Sequence, residues 1–203
     1  MRILLTGTQG HRKGFIANRF LERFGEEFDI VEYLDDITTG TFIDDYDMVV
    51  HLAAMAGVRH SHEQPELYWK VNVEGSKRLF EFYDRLQVPV LYASSSSVYG
   101  WWLSPYATTK WAMEALAPER SLGLRFHTVY GPNSREDMLY DMLLNRKVHY
   151  LTDHTRDWTH VDDVCAAIHT CIYNFFEINE SHKAIDVGTG DPVSVVDMAE
   201  TVW

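Results

Sequence analysis

With two cysteines in 203 residues, the chain has no basis for a disulfide framework. Cys165 and Cys171 stand six residues apart in a helical pattern, poorly placed to bridge each other. They are expected as reduced thiols packed in the core. Long apolar runs are missing too. No stretch approaches the roughly 20 residues of a membrane-spanning helix, and Met1-Arg2-Ile3-Leu4-Leu5 is too short for a signal-peptide core. These absences predict a cytoplasmic protein with no membrane partner. Positive charge is scarce: 18 Lys and Arg face 30 Asp and Glu, for a net charge of −12. That balance repels phosphate backbones, so nucleic acid is not an expected partner. The one tight basic cluster is His11-Arg12-Lys13. There is also no repeat, low-complexity tract or Pro/Gly-rich linker. What is present, 46% hydrophobic and 24% charged residues, is the composition of an ordinary soluble globular domain with one core.

Apolar runs alternate with helical patterns along the chain. Residues 3–5, 30–31, 48–50, 88–93 and 122–126 read as short buried strands, and 14–24, 63–86, 106–116 and 136–144 as helices. Continuously apolar strands alternating with helices predict an α/β fold, a doubly wound parallel sheet covered on both faces. A single domain over 1–203 is expected, with 1–130 mainly the core. Residues 131–203, more polar and irregular, are expected as a small lobe over the sheet's C-terminal edge with some elements returning to the core. That edge is where such folds bind ligands.

After the first strand comes Thr6-Gly7-Thr8-Gln9-Gly10-His11-Arg12-Lys13-Gly14-Phe15-Ile16. Glycines allow a tight turn and a close approach of backbone to a pyrophosphate, whose charge then faces the N-terminus of the next helix. Gly7, Gly10, Gly14, Phe15 and Ile16 are therefore candidate dinucleotide contacts. At the end of the second strand Leu34-Asp35-Asp36 offers the carboxylate that would hold an adenosine ribose, Asp35 foremost. A carboxylate there favours NAD. Arg12 in the basic triplet could accept the 2′-phosphate of NADP, which leaves that cofactor possible.

Tyr106-Ala107-Thr108-Thr109-Lys110 puts a phenol and an ammonium at i and i+4 on one helical face. Upstream, Tyr92-Ala93-Ser94-Ser95-Ser96-Ser97-Val98-Tyr99-Gly100 ends an apolar strand in hydroxyls. Four further segments follow the same order: His51-Leu52-Ala53-Ala54, Asn72-Val73-Glu74-Gly75, Thr128-Val129-Tyr130-Gly131-Pro132 and Arg156-Asp157-Trp158-Thr159-His160. With the glycine turn, the set resembles the extended short-chain dehydrogenase/reductase family, in particular its sugar-nucleotide epimerases, over nearly the whole chain.

The resemblance implies a Rossmann-type fold, a bound NAD and a catalytic triplet of Ser95, Tyr106 and Lys110. Leu52, Ala53, Ala54 and Asn72 would join the cofactor site, with Tyr106 and Lys110 touching both cofactor and substrate. Lys110 and a positive nicotinamide ring would draw the Tyr106 phenol down from its ordinary value near 10, so that it takes a proton from a sugar hydroxyl. Ser94 and Ser96 would neighbour the sugar. Dehydratase-type relatives carry an acidic pair where Ser96 and Ser97 stand, which favours epimerisation. Ala56-Gly57-Val58-Arg59-His60-Ser61 and the segment from Thr128 resemble the UDP-glucuronate 4-epimerases, implying a UDP-linked substrate contacted by Thr128 and by Arg135 and Arg156 at its diphosphate. The family's subunit-pairing helices imply a homodimer, with 65–86 as one of them. No metal is expected, because His60 and His62 lack partners at ligand spacing.

The pattern also breaks. Residues are inserted between Gly7 and Gly14, and Ala17 replaces the third glycine. Residues 40–47 are too few for the usual strand and helix, and only five residues separate Gly100 from Tyr106. These departures bear on substrate grip more than on the dinucleotide. They leave open a second reading: an NAD(P)-binding protein with a lost sugar site, acting as a regulator or as a reductase or dehydratase on another substrate.

Overall fold

A computed structural model describes residues 1–9 and 14–203. The expected residues Gly10 and Arg12 lie outside the described part. Six parallel strands form the central sheet in the order β2-β1-β3-β4-β5-β9. They are β1 (Arg2–Thr6), β2 (Asp29–Tyr33), β3 (Met48–His51), β4 (Val90–Ser95), β5 (Ser121–Phe126) and β9 (Ala184–Val187). Two small ribbons complete the strands. β6 (Thr128–Tyr130) pairs in parallel with β8 (Trp158–His160), and β7 (Thr155–Arg156) pairs antiparallel with β10 (Val193–Ser194). This is the doubly wound Rossmann-like arrangement expected of the sequence.

The helices are α1 (Phe15–Phe24), α2 (Val58–Glu63), α3 (Pro65–Trp69), α4 (Ser76–Arg85), α5 (Pro105–Leu116), α6 (Leu139–Leu144), α7 (Val161–Tyr173), α8 (Phe175–Ser181) and α9 (Val195–Val202). The single helix expected over 63–86 is in fact segmented. Gln64 leaves helical geometry at φ −136° before Pro65 opens α3, and Lys70–Gly75 winds as a π-helical turn before α4. Pro65 fits at a first helical position, where a missing N–H costs nothing. Single π turns inside helices gather at functional sites, and this one carries Asn72.

Side-chain alternation along the strands divides the core into two layers. On one face Ile3, Leu5, Val50, Leu91 and Leu124 pack against Phe20 of α1, Val164 and Ile168 of α7, and Phe175 of α8. On the other, Leu4, Val49, Val90 and Tyr92 meet Leu79, Phe80 and Tyr83 of α4 and Met113 of α5. Each such side chain, fully withdrawn from water, contributes about 1.5–3 kcal/mol before entropy is counted. Ile37 and Phe42 fill the second layer from the loop joining β2 to β3, where the described residues hold no helix. A third, smaller cluster joins Leu143, Trp158, Val195 and Ala199. No helix among the described residues is long and apolar enough to cross a membrane.

Strand β2 lies on one side of β1, and β3 on the other. The chain therefore reverses its winding at β1, which opens a crevice at the C-terminal ends of β1 and β3. Gly7, Leu52, Ala53 and Ser95, singled out in the sequence, lie along that edge.

Candidate active site

The crevice begins at Gly7. Its φ of +94° is one that side chains rarely adopt, and a Cβ there would stand 2.6 Å from the Ala53 nitrogen and 2.7 Å from the Leu52 carbonyl carbon. The turn is thus pressed against the segment leaving β3. Gly14, at φ +46°, caps α1 where a Cβ would collide with the Gly7 carbonyl oxygen. Phe15 and Ile16 open α1 behind it and are half-buried. Thr8 is buried within this turn, and among the described residues its hydroxyl has no hydrogen-bond partner. A backbone cradle that only glycine fits, an orphan hydroxyl and a following helix N-terminus suit a pyrophosphate. Asp35 is exposed just past β2, at the same sheet edge. Asp36 turns into its own loop, accepting from the Thr38 amide and hydroxyl at 2.7 Å each, and these bonds hold its carboxyl below the usual range.

His51 anchors the floor. Its Nδ1 lies 2.8 Å from Thr6 Oγ1 and its Nε2 2.9 Å from Ser76 Oγ, while the Ala53 amide donates to Thr6 Oγ1 at 3.1 Å. Burial, and then the charge of Lys110, push the imidazole down to about 3. It is therefore a neutral strut, tying β1 and β3 to α4.

Ser95 ends β4, and its hydroxyl accepts from the Ser97 amide at 3.2 Å, capping the 3₁₀ turn over Ser96–Leu103. Ser104 caps α5 in the same way by accepting from the Ala107 amide. Pro105 then starts the helix and sets Tyr106 in its first turn. Ser95 reaches the Tyr106 hydroxyl. Tyr68 packs edge-on against the Tyr106 ring, the centroids 6.3 Å apart. One turn on, Lys110 is 2% exposed and its Nζ donates to the Ala93 carbonyl at 2.6 Å. The structure thus brings Ser95, Tyr106 and Lys110 together.

Their electrostatics differ from the expectation. Burial raises the Tyr106 phenol, and Ser95 and the charge of Arg135 only partly oppose that rise. Lys110 does not lower it, because its ammonium is turned to Ala93 and burial itself drives that ammonium down to about 7.

The other expected site residues lie at different depths in the fold. Asn72 is buried; its Oδ1 accepts from the Met55 amide at 2.7 Å, and its amide nitrogen donates to the Met55 carbonyl at 2.9 Å and to Thr109 Oγ1 at 3.0 Å. It fixes the segment that carries Leu52, Ala53 and Ala54, all half-buried beside Gly7. Ser94, expected beside a sugar, is buried and donates to Glu114, since alternation along β4 sets it apart from Ser95. Ser96 is half-buried in the 3₁₀ turn. Thr128 opens β6, its amide bonded to the Asp157 carbonyl at 2.9 Å. Arg135, half-buried, donates to Asp137 at 2.8 Å and acts on Tyr106 through its charge. Arg156 is exposed on β7, and among the described residues no hydrogen bond or ion pair joins it to the rest of the set. His60 is engaged with Glu63 and Asp137.

Two groups escaped the sequence reading. Glu114 stands four residues after Lys110, so the Tyr106–Lys110 spacing simply repeats once more. Asp157 accepts from the amides of Thr189 and Gly190 at 2.9 and 2.8 Å, a link no local pattern announces.

The profile of the NAD-dependent epimerase/dehydratase family matches residues 8–188. An uncharacterised protein of Methanocaldococcus jannaschii is 33% identical over 88% of this chain and 60% of its own length. Protein CapI of Staphylococcus aureus is 31% identical over 85% of this chain and 64% of its own. The chain thus spans less than two thirds of the length of these curated relatives. UDP-glucuronate 4-epimerase 4 of Arabidopsis thaliana is 36% identical over 57% of this chain and 34% of its own. Among solved structures, MoeE5 in complex with UDP-glucose and NAD superposes with a TM-score of 0.82 at 29% identity, covering 100% of this chain and 81% of that one. A match from the glycine turn through β9, on the sheet order and crevice described above, places the chain in the NAD-dependent epimerase/dehydratase family.

Proposed function

We propose that this chain is a sugar-nucleotide epimerase that inverts carbon 4 of a UDP-hexose or UDP-hexuronate by transient oxidation with bound NAD. The observation that carries the reading is the convergence of Ser95, Tyr106 and Lys110 at the end of β4, beside the glycine cradle. A module that only bound a dinucleotide would have no use for a half-buried phenol and a buried ammonium one helical turn apart. Relatives of known name point the same way, as UDP-glucuronate 4-epimerases and as MoeE5 in complex with UDP-glucuronic acid and NAD.

Gly7, Thr8, Gly14, Phe15 and Ile16 would hold the pyrophosphate, Asp35 the ribose, and Leu52, Ala53 and Ala54 the adjoining wall. When bound, NAD supplies the acceptor for the two electrons of a carbon–hydrogen bond and a positive charge beside Tyr106. With added positive charge drawing its pKa toward neutrality, Tyr106 as phenolate would take the proton of the sugar 4-hydroxyl. Ser95 holds that hydroxyl in line, and Lys110, one turn on, would touch the cofactor. The inversion would be complete once the hydride has been given back to the opposite face of the turned keto sugar and Tyr106 has returned its proton to the 4-oxygen. Ser96 and Ser97 offer no carboxylate to eliminate water, which favours epimerisation over dehydration. Thr128 on β6 would contact the sugar substituent, and Arg135 and Arg156 would pair with the diphosphate.

A homodimer is part of the reading. Trp69, Trp101, Trp102, Leu103, Trp111 and Leu116 are exposed on α3, the 3₁₀ turn and α5, with Trp101 stacked on Trp111 at 4.9 Å. An apolar patch of this kind suits a subunit contact. Light scattering coupled to size exclusion should give twice the chain mass. The chemistry is tested by incubating the protein with UDP-glucuronate and with UDP-glucose and resolving the 4-epimers by chromatography. Turnover of either is expected. Tight dinucleotide binding without turnover would overturn the epimerase and leave a binding protein of the same fold.

A further inference from the structure

Lys110 poses a problem that its neighbour on β4 does not solve. An ammonium sealed from water needs an opposite charge, and the Ala93 carbonyl at 2.6 Å offers only a dipole. The surroundings are otherwise neutral. His51 approaches from β3 with its ring held uncharged, Tyr106 lies one turn back on α5, and Asn72 with Thr109 forms the amide–hydroxyl wall. The exception is Glu114. It stands one turn beyond Lys110 on the same face of α5, and its side chain is only 13% exposed.

Glu114 is clamped from two strands. The Ser94 hydroxyl on β4 donates to Oε1. Arg125 on β5 grips both oxygens, Nε to Oε1 at 2.9 Å and Nη2 to Oε2 at 2.8 Å. Arg125 is steadied in turn by the Tyr99 hydroxyl at 3.1 Å, which donates to Asp186 on β9 at 2.6 Å, where His127 also meets the carboxylate. A fork of this kind fixes where the negative charge lies, since guanidinium and carboxylate match in plane and spacing.

We infer that Glu114, held by Ser94 and Arg125, is the counter-charge of the buried Lys110, a positioning residue one turn away on α5 that favours the ammonium form. Among the described residues Glu114 is the one charged group that favours the ammonium, and burial outweighs it, leaving Lys110 at about 7. Arg125 works in the opposite sense, by sharing the carboxylate's field. The inference rests on the proposed mechanism only for what the ammonium is used for; the charge relationship itself can be measured without turnover.

The experiment is a pH titration of the full chain labelled with ¹³Cε-lysine, the Lys110 resonance being identified by its loss in Lys110→Met. The Lys110 signal should titrate near neutrality, apart from the exposed lysines. In Glu114→Gln, which keeps acceptors for Ser94 and Arg125, its midpoint should fall by about half a pH unit or more. In Arg125→Gln, which leaves the carboxylate unshared, it should rise. A merely structural pair would move neither midpoint, or both in one direction, and either result overturns the inference. Should Glu114→Gln fail to fold, Glu114→Gln/Arg125→Met removes both charges and must still lower the midpoint; an unmoved one is equally fatal. In an active enzyme the alkaline limb of kcat/KM should follow the same signs. Loss of turnover with the NMR shifts intact would instead count against the epimerase reading alone.

Discussion

Asn72 and Thr109 meet across the joint between the π turn and α5, amide to hydroxyl at 3.0 Å, one residue before Lys110. The same amide holds Met55 through both its backbone groups. One side chain therefore sets the distance between the wall of the glycine cradle and the catalytic helix. Asn72→Leu leaves those buried groups without partners and should cost about 2–4 kcal/mol. Urea denaturation measures this loss; a cost within experimental error would show that the joint holds without Asn72.

Gly7→Ala should damage dinucleotide binding. The new Cβ meets backbone of Leu52 and Ala53, which cannot rotate away, at a φ of +94°. Strain of this kind is on the order of 1–3 kcal/mol, and relieving it opens the cradle. Calorimetric titration with NAD should show affinity reduced at least about tenfold. Binding at the parent affinity would place the dinucleotide elsewhere.

Acid should weaken the fold before the carboxylates titrate. His51 is held at about 3 in the folded chain, against an ordinary 6.5. Between those values the unfolded chain carries a proton that the folded one refuses, so stability falls as pH drops from 6.5. A single group contributes at most about 1.4 kcal/mol per pH unit. Lys110 has the same sign higher up: its folded value of about 7 lies below 10.5, so its contribution grows as pH rises between the two. Unfolding free energies at pH 5 and 6.5 should differ more for the parent than for His51→Gln. Equal differences would refute the buried neutral imidazole.

Asp157 ties β8 to the turn after β9 by four donors: the amides of Thr189 and Gly190 and the hydroxyls of Thr189 and Thr159. Those bonds hold its carboxyl below the ordinary range even though its burial opposes them. Asp157→Ala should speed hydrogen exchange at the Thr189 and Gly190 amides while leaving that of β1 and β3 unchanged. Unchanged exchange at 189–190 would show that the turn stands by itself.

Much of this was legible in the chain. Ile3, Leu5, Val49 and Val50 could be assigned to buried parallel strands because a continuous apolar run bounded by turn residues has few other homes. Tyr106 and Lys110 could be placed on one helical face from spacing alone. The missing parts are those that tertiary contacts decide. Ala184–Val187 is short and interrupted by Asp186, which looks unlike a strand until β5 is beside it. Nothing in Lys70–Gly75 marks a π turn. The charge of Lys110 depends on a carboxylate fixed by Arg125, a residue of another strand. Local pattern names the reactive groups; the partners that set their protonation come from elsewhere in the sheet.

The position of β9 has a consequence for biosynthesis. Its four residues zip onto β5 after α6, α7 and α8 have intervened. While the chain emerges from the ribosome, β5 keeps an open hydrogen-bonding edge until residues 184–187 have been made. Open apolar edges recruit other strands, and pairings distant in sequence form late. Nascent chains stalled between β5 and β9 should therefore be the ones that chaperones hold longest.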